Sequence, residues 1–181
     1  MSPDGPRSGP VRRGFLGLGS NVGDRLVALG AARDRLDAVP GLRVTRASSA
    51  WETAPQGEVL DQPDFLNAVL EVETRLAPEA LLAVCKAIER DLGRSVPVVR
   101  HGPRPIDVDV LLLGDLEHAS ERLVLPHPEL LTRRFVLEPL LELDPGLVLH
   151  GGTRAGDALA GLGDQRVARA GVLPAPSAPT R

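Results

Sequence analysis

Apolar and polar positions along the first half of the chain predict three strands and a helix. Residues 11–19 predict the first strand, and residues 24–38 carry leucines at helical spacing before a Pro-Gly turn. Residues 42–51 predict a second strand, which a loop containing Pro and Gly follows over 52–63. Along residues 65–74 the side chains alternate with a period of two, which predicts a third strand. One face would carry Leu66, Ala68, Leu70 and Val72, and the other face would carry the residues between them.

The pattern continues with a second helix and a strand that carries acidic residues. Pro78 opens this helix and Gly93 ends it, and its apolar residues recur at helical spacing as Leu81, Cys85, Ile88 and Leu92. A basic loop with several Pro and Gly residues, 94–105, leads into the acidic strand. Two short helices are expected beyond this strand, around 128–132 and 135–143.

The order of these elements, strand-helix-strand-strand-helix-strand, is typical of the ferredoxin-like split βαβ arrangement. We therefore expect an α+β fold with a ferredoxin-like βαββαβ core, in which a four-stranded, mostly antiparallel sheet carries its helices on one face. Extra elements would follow toward the C-terminus, and the second face would stay free for loops and ligands. A single domain is expected over 11–165, between a disordered N-terminal arm, 1–10, and a flexible C-terminal tail, 166–181.

Composition and charge narrow the function classes. With 43% apolar residues, 25% charged residues and a net charge of −3, the chain gives no reason to expect a nucleic-acid or membrane partner. Cys85 stands alone, which excludes an internal disulfide and a cysteine-based metal site. No apolar stretch is long enough to cross a bilayer, and the pair Arg12-Arg13 lacks the long apolar region of an export signal, so we expect a cytoplasmic protein. Lys86 is the only lysine among 21 basic residues, so a single arginine carries little information here.

The strongest chemical signal is a pair of acidic residues inside an apolar, β-branched run. On a strand, Asp107 and Asp109 point to the same face, with their Cα atoms about 6.5–7 Å apart. Two carboxylates in this arrangement repel each other unless a cation lies between them. Mg²⁺ is such a cation, and it is commonly held by one or two carboxylates together with substrate phosphates. The alternative is a strand whose acidic face is simply exposed to water.

Basic residues precede the acidic pair in the chain. Arg94, Arg100, His101 and Arg104 all lie within 13 residues of Asp107. Because arginine binds phosphate oxygens in a planar, bidentate way and stays charged, the combination indicates a site for polyphosphate and metal together. The alternative is that these arginines reflect the biased composition or only pair with the acidic side chains.

An aromatic and an amide side chain share one face of the third predicted strand. Phe65 offers a flat π surface, and Asn67 offers both a hydrogen-bond donor and an acceptor. Together they are suited to stacking on a heteroaromatic ring and to binding its edge. The alternative is a core phenylalanine beside an asparagine that caps a turn.

Two further features are less specific. His127 lies between two prolines in a rigid loop, which favours a positioned ligand contact over a random surface position, although a structural role is the simpler interpretation. The glycines of 17–23 do not have the spacing of a dinucleotide-binding fingerprint, and no P-loop motif follows. We interpret this segment as a tight turn in which Ser20 or Asn21 caps the next helix.

Four ordered stretches resemble the 6-hydroxymethyl-7,8-dihydropterin pyrophosphokinases of folate biosynthesis. The resemblance covers roughly residues 13–150, and the order of the motifs makes it more specific than any one of them. The matching stretches are Phe15–Asn21, Asp61–Asn67, Gly102–Asp109, and Pro126–Pro128 together with Arg133–Phe135.

This resemblance implies the transfer of pyrophosphate from ATP to the pterin hydroxymethyl group, with release of AMP. It implies that Asp107 and Asp109 bind two Mg²⁺ ions, while Arg94 and Arg104 neutralise charge on the transferred group. It further implies a pterin site made of Phe65, Phe135, Asn67 and the loop residues Thr53, Ala54 and Gln56. The positions expected to contact ATP are Lys86, Glu89, Arg94, Arg104, Arg122, Val124, His127 and Arg133.

Three positions depart from the family pattern. His101 stands where an aromatic residue is typical, Ala54 where proline is common, and Pro97 where a basic residue is usual, which affects loop behaviour and substrate affinity. Two alternatives stay open: a non-catalytic ferredoxin-like domain that binds a small ligand, and an ordinary kinase that releases ADP. We expect a monomer whose functional neighbours belong to folate synthesis.

Overall fold

The computed structural model of the chain describes residues 9–55, 61–93 and 102–176. Six strands in these ranges form one antiparallel sheet, and four α-helices pack around it. The elements are β1 (Arg12–Ser20), α1 (Arg25–Asp37), β2 (Leu42–Ala47), β3 (Ser49–Thr53), β4 (Phe65–Thr74), α2 (Pro78–Asp91), β5 (Asp107–Leu113), β6 (His118–Ala119), β7 (Val124–Leu125), a 3₁₀ helix (Leu130–Thr132), α3 (Arg134–Leu143), α4 (Ala155–Gly161) and β8 (Val167–Val172).

The strands of the main sheet lie in the order β5-β1-β4-β3-β8, and β2 pairs with the far half of β4. The predicted second strand is therefore two strands, because the regular strand is interrupted at Ser48. The Ser48 hydroxyl accepts a hydrogen bond from the Val69 N–H at 2.9 Å, and the Ser48 N–H donates to the Val69 carbonyl. The side chain thus takes part in the pairing with β4 at this interruption. β6 and β7 form a separate two-stranded hairpin.

The prediction of a four-stranded sheet is wrong, because the described residues contribute six strands to it. One extra strand comes from the break at Ser48, and the other is β8. The structure places residues 167–172 at the outer edge of the sheet, paired with β3, within the segment expected to be a flexible tail. Five of these six residues are exposed, so the segment carries no alternation of buried and exposed side chains that would indicate a strand.

α1 and α2 pack on one face of the sheet, and α3 and α4, which follow toward the C-terminus, pack on the other, so the expectation that the second face stays free for loops and ligands is wrong. α1 and α2 close the first face over a core that includes Leu16, Leu29, Leu70 and Leu81, each fully buried. α3 and α4 pack on the second face around Phe15, Val69, Leu137 and Leu140. The sequence predicts a short helix around 135–143, but a helix prediction does not say which side of a sheet the helix covers.

The beginning of α1 differs from the prediction. The helix is capped by Asp24, whose carboxylate accepts a hydrogen bond from the Val27 N–H at 3.1 Å, and not by Ser20 or Asn21. Gly17 and Gly19 lie inside β1, so they do not form a turn. Only Gly23 of this segment has a positive φ, 70°, in the short connection to α1.

The expected place of Cys85 in an apolar stripe is confirmed. Cys85 is fully buried in the first core, where burial raises the pKa of its thiol to about 12. Among the residues that the structure describes, none of the helices is long and apolar enough to span a membrane.

The packing of α3 can be tested with Leu137→Ala. Leu137 is fully buried, so we expect the free energy of unfolding to fall by about 2–5 kcal/mol through lost apolar contacts and a residual cavity. Urea denaturation measures the change. Leu141→Ala on the same helix is the control, since this side chain is only partly buried and should cost less than half as much. Equal losses would contradict the assignment of the Leu137 side to the core.

Candidate active site

A cavity of about 350 Å³ opens on the second face of the sheet, beside α3. Strands β1, β4 and β5 line it from the sheet, and Phe65 and Asn67 at the start of β4 form one of its walls. The other lining residues belong to the end of β3 and the residue after it, the loop before β5, and the segment from His127 to α3. The cavity brings together ten of the residues predicted from the sequence: Thr53, Ala54, Phe65, Asn67, Arg104, Asp107, Asp109, His127, Arg133 and Phe135.

Two glycines keep the floor of this cavity open. The strand register sets Gly19 between Asn67 and Asp107, and Gly17 between Val69 and Asp109. A Cβ atom at Gly19 would lie 3.0 Å from the side-chain oxygen of Asn67, which is tighter than ordinary packing. The glycines therefore leave space between the amide-bearing strand and the acidic strand.

The amide wall of the cavity is held by hydrogen bonds. Asn67 is buried, and its side-chain NH₂ donates to the Thr53 hydroxyl at 2.8 Å. This bond fixes the plane of the Asn67 amide and directs its remaining donor and acceptor capacity away from Thr53. Phe65, two residues earlier on the same strand face, lines the cavity next to it.

The acidic residues form a cluster of three carboxyl groups. Asp107 and Asp109 face the cavity from β5, and Glu89 approaches from α2, with one oxygen of each lying within 4.8 Å of the others. Glu89 is 3% exposed and accepts a hydrogen bond from the Val108 N–H at 2.7 Å. This bond ties the middle of the acidic pair to α2 and sets the position of both aspartates.

Two cationic side chains balance the cluster. The Lys86 ammonium lies 2.7 Å from a Glu89 oxygen, 3.5 Å from one of Asp109 and 4.0 Å from one of Asp107. The Arg104 Nε lies 3.1 Å from the other Asp107 oxygen. The cluster therefore already gathers positive charge in this structure, and its hard oxygen donors are those that Mg²⁺ prefers. Asp107, Asp109 and Glu89 are the described residues that could hold such an ion.

Burial and the neighbouring charges together shift the pKa values of Asp109, Glu89 and Lys86. Burial and the neighbouring Asp107 raise the pKa of Asp109, and burial raises the pKa of Glu89 despite Lys86 beside it. Burial alone would lower the pKa of Lys86, but the three carboxylates outweigh it and raise that pKa. The ammonium therefore stays charged, while the carboxyl groups of Glu89 and Asp109 hold protons more tightly than usual.

Arginines cover both aromatic rings of the cavity. The Arg104 guanidinium carbon lies 5.1 Å from the centre of the Phe65 ring, and that of Arg133 lies 5.5 Å from the centre of the Phe135 ring. Both distances are typical of cation–π contacts. Each aromatic surface of the cavity is therefore close to a positive charge.

His127 is fixed by its backbone and by one ring nitrogen. Its N–H donates to the Leu111 carbonyl at 2.9 Å, and its Nδ1 accepts from the Glu129 N–H at 3.2 Å. Burial lowers the pKa of His127, so the neutral ring is favoured and its proton is assigned to Nε2. The neutral ring thus keeps an Nε2–H donor, while the backbone bond holds the residue against β5.

Several predicted site residues are not part of the cavity lining. Lys86 and Glu89 stand behind the acidic pair, where they contact it directly. Arg122 and Val124 belong to the β6–β7 hairpin, and neither lines the cavity, so their assignment to a nucleotide stays a prediction. The other site residues and departures named from the sequence lie outside the described residues: Gln56, Arg94, Pro97, Arg100 and His101.

Asn21 has a role at the site that sequence reasoning missed. Its side-chain oxygen accepts from the Arg104 N–H at 2.8 Å, and its NH₂ donates to the Gln62 side chain and the Pro63 carbonyl. It therefore joins the loop before β5 to the loop before β4. The motif around Gly19 contained Asn21, but nothing in the local pattern indicated partners so distant in the chain.

The fold is an antiparallel sheet with helices on both faces, and its cavity is lined by acidic, basic and aromatic side chains. These two features together define a class of small-molecule-binding α/β domain. Within it, the family model for 7,8-dihydro-6-hydroxymethylpterin-pyrophosphokinase (HPPK) matches residues 15–145, and the chain belongs to this family.

Individual relatives agree with this family. A 2-amino-4-hydroxy-6-hydroxymethyldihydropteridine pyrophosphokinase of Methylorubrum extorquens is 46% identical over 159 residues, which are 88% of this chain and 99% of the relative. A mitochondrial folate synthesis bifunctional protein of Arabidopsis thaliana is 47% identical over 71% of this chain and 23% of its own length. The crystal structure of wild-type Plasmodium falciparum HPPK-DHPS with pterin and p-hydroxybenzoate matches with a TM-score of 0.65 and 16% identity, over 85% of this chain and 42% of that chain, and shows the shared fold.

The charge balance of the cluster can be tested with Lys86→Met. Because the buried Glu89 loses its charged partner, we expect the free energy of unfolding to fall by about 1–3 kcal/mol near neutral pH. The raised pKa values of Glu89 and Asp109 mean that the folded protein binds protons more tightly than the unfolded chain. The loss should therefore shrink as the pH falls from about 8 to about 5 and the carboxyls are neutralised.

Urea denaturation at both pH values measures this effect, and Arg90→Met is the matched control. Arg90 lies on the same helix, is exposed and is not part of the cluster. A loss for Lys86→Met that is independent of pH, or no larger than that of the control, would contradict the proposed charge balance.

Proposed function

We propose that this chain transfers pyrophosphate from ATP to the hydroxymethyl group of 6-hydroxymethyl-7,8-dihydropterin, giving AMP and the pterin diphosphate. Membership of the HPPK family and a pyrophosphokinase relative that the chain covers almost completely support this function. The observation that carries the proposal is the single cavity in which the acidic cluster and the two phenylalanine rings meet. One end suits a polyphosphate with its metal, and the other suits a flat ring.

The acidic end is proposed to make the reaction dependent on Mg²⁺. Asp107 and Asp109 would hold two ions, with Glu89 behind them as the residue that fixes β5. The clustered oxygens and the ammonium already among them support the fit of a divalent cation. When bound, such ions would neutralise the triphosphate and orient its oxygens.

The aromatic end is proposed to bind the pterin. Phe65 and Phe135 would stack on the two faces of the ring. Asn67 would bind the edge of the ring with its side-chain oxygen and with the N–H that does not donate to Thr53. Ala54 lies beside Thr53 in the lining, and Gln56 is assigned here from the family resemblance alone. The amide of Asn67 suits a ring edge that offers both donors and acceptors.

The basic residues are proposed to bind ATP. Arg104, Arg133 and His127 line the cavity and can donate to phosphate oxygens, and Lys86 lies beside the acidic pair. Glu89, Arg122 and Val124, together with Arg94, are assigned to the nucleotide from the family resemblance. Arg104 reaches both Phe65 and Asp107, so it stands where the pterin and the triphosphate would meet.

The reaction mainly requires that the two substrates are positioned and that the negative charge of the triphosphate is neutralised. The hydroxymethyl oxygen attacks the β-phosphorus of ATP, the bond to the bridging oxygen of the α-phosphate breaks, and AMP leaves with that oxygen while the hydroxyl proton is released. Arg94 and Arg104 would offset the negative charge that resists this approach, and the walls of the cavity would hold the two substrates in line. We assign no side chain as a general base.

Four finer assignments belong to the same proposal. The core from β1 to β5 would be ferredoxin-like, the protein would act as a monomer, and its location would be the cytoplasm. Its functional neighbours would be other enzymes of folate synthesis, which the folate synthesis bifunctional protein of Arabidopsis thaliana supports.

The reaction can be tested by incubating the protein with ATP, Mg²⁺ and the hydroxymethyl-dihydropterin, and by analysing the nucleotide product. We expect AMP and the pterin diphosphate in equal amounts, and no turnover after chelation until Mg²⁺ is restored. Asp107→Ala should lower kcat/KM by about 1,000-fold without unfolding the protein, since it removes a metal-facing group at a site of charge repulsion.

Asp115→Ala is the control, because this residue is exposed just beyond the same strand and should leave kcat/KM unchanged. ADP as the product would indicate an ordinary kinase instead. Pterin binding without Mg²⁺ and without AMP formation would indicate a non-catalytic binding domain.

A further inference from the structure

The chain returns to the cavity after α4. Residues 165–167, here called the C-terminal clasp, lie beyond the end of the family-model match at residue 145. They contact both walls of the cavity, although none of the three lines it. The wall that carries Phe135 and the wall that carries Phe65 come from distant parts of the chain.

Gln165 binds the Phe135 wall. Its side-chain oxygen accepts from the Arg134 N–H at 2.8 Å, and its NH₂ donates to the Thr132 carbonyl at 3.1 Å. These two bonds enclose Arg133, which lines the cavity, and they supply a partner at the N-terminus of α3, where the N-cap side chain makes no capping bond. Phe135 follows directly in the first turn of that helix.

Arg166 and Val167 bind the opposite wall. Arg166 forms an ion pair with Asp64, the residue immediately before Phe65. Val167 pairs with Thr53 at the end of β3, and the Thr53 hydroxyl accepts the hydrogen bond from Asn67. One tripeptide therefore touches the positions that hold Phe65, Asn67 and Phe135.

β8 and the residues after it are anchored by contacts that do not involve Arg166. Arg169 donates to the Ser49 hydroxyl at 2.8 Å and pairs at 3.2 Å with Glu142, near the C-terminal end of α3 and seven residues after Phe135. Arg33 donates to the Pro174 carbonyl, and Leu173 packs against the first core. Because Arg166 is 68% exposed, its ion pair adds little to global stability, so its effect would fall on the local geometry of the wall.

We infer that the C-terminal clasp fixes the spacing between the Phe65 and Phe135 walls, and that Gln165 and Arg166 are positioning residues for the flat ring of the substrate. This inference rests on the proposed function, since it assigns the ring between these walls to the pterin. The clasp acts through the walls and not through contact with the reacting atoms.

The test compares Arg166→Ala and Gln165→Ala with Arg169→Ala as the matched control. The control removes an exposed arginine and an ion pair three residues after Arg166, but its partners Ser49 and Glu142 neither line the cavity nor adjoin a lining residue in the chain. Direct binding of oxidised 6-hydroxymethylpterin is measured by calorimetry in the presence of Mg²⁺ and a non-hydrolysable ATP analogue, and steady-state kinetics supply KM and kcat.

We expect Arg166→Ala to raise the pterin Kd and KM by about two- to five-fold, and Gln165→Ala by up to about ten-fold, while kcat and the KM for ATP change by less than about two-fold. Arg166→Lys, which keeps the charge, should retain most of the wild-type affinity. Arg169→Ala should leave the pterin Kd unchanged even where it lowers the melting temperature.

Unchanged pterin affinity in both clasp variants, beside a wild-type protein that binds pterin and forms AMP, would overturn the clasp and leave the proposed function standing. An equal loss in Arg169→Ala would also overturn it, because the effect would then follow the anchoring of β8 in general. A wild-type protein that neither binds pterin nor forms AMP would overturn the proposed function and the clasp with it.

Discussion

The repulsion among three carboxyl groups at the junction of β5 and α2 is the constraint on which the site depends. Asp107, Asp109 and Glu89 approach within 4.8 Å, a distance at which three negative charges require a cation or protons among them. The protein meets this requirement with Lys86 and Arg104 and with raised carboxyl pKa values. Glu89 adds to the repulsion, yet it also holds the Val108 N–H, so the same carboxylate positions the strand that carries the other two.

The strand register decides which residues of the sheet enter the core and which line the cavity. On β5, Val108 and Val110 enter the core under α1 and α2, while Asp107 and Asp109 face the cavity. On β1 the leucines enter the same core, and the alternating glycines form the floor of the site. Because side chains alternate along a strand, a shift of one residue would expose the core and bury the carboxylates. The packing that stabilises the sheet therefore also selects which side chains reach the substrate.

Local patterns in the sequence predicted the parts of this structure that depend on neighbouring residues. The strand over residues 65–74 and the helix that opens at Pro78 agree with the structure, because alternation and a proline at the first helical turn are local signals. Asp107 and Asp109 were placed on one face for the same reason. β8 was not predicted because nearly all its residues are exposed. Its sequence therefore shows no alternation of apolar and polar residues that would indicate the pairing with β3. The bonds of Asn21 to Arg104 and of Gln165 to Arg134 span 83 and 31 positions, and no local pattern encodes them.

Because the chain has one lysine and many arginines, the position of the lysine is more informative than that of any single arginine. Twenty-one basic residues include only Lys86 as lysine, and it stands inside the carboxylate cluster. An ammonium is a compact charge with three donors. Here the single Nζ atom of Lys86 contacts Glu89, Asp109 and the Val108 carbonyl. A guanidinium is a planar fork that suits two parallel oxygens, so it fits this converging arrangement less well. In a chain whose other basic residues are arginines, the geometry of the surrounding charges suits a lysine at this position.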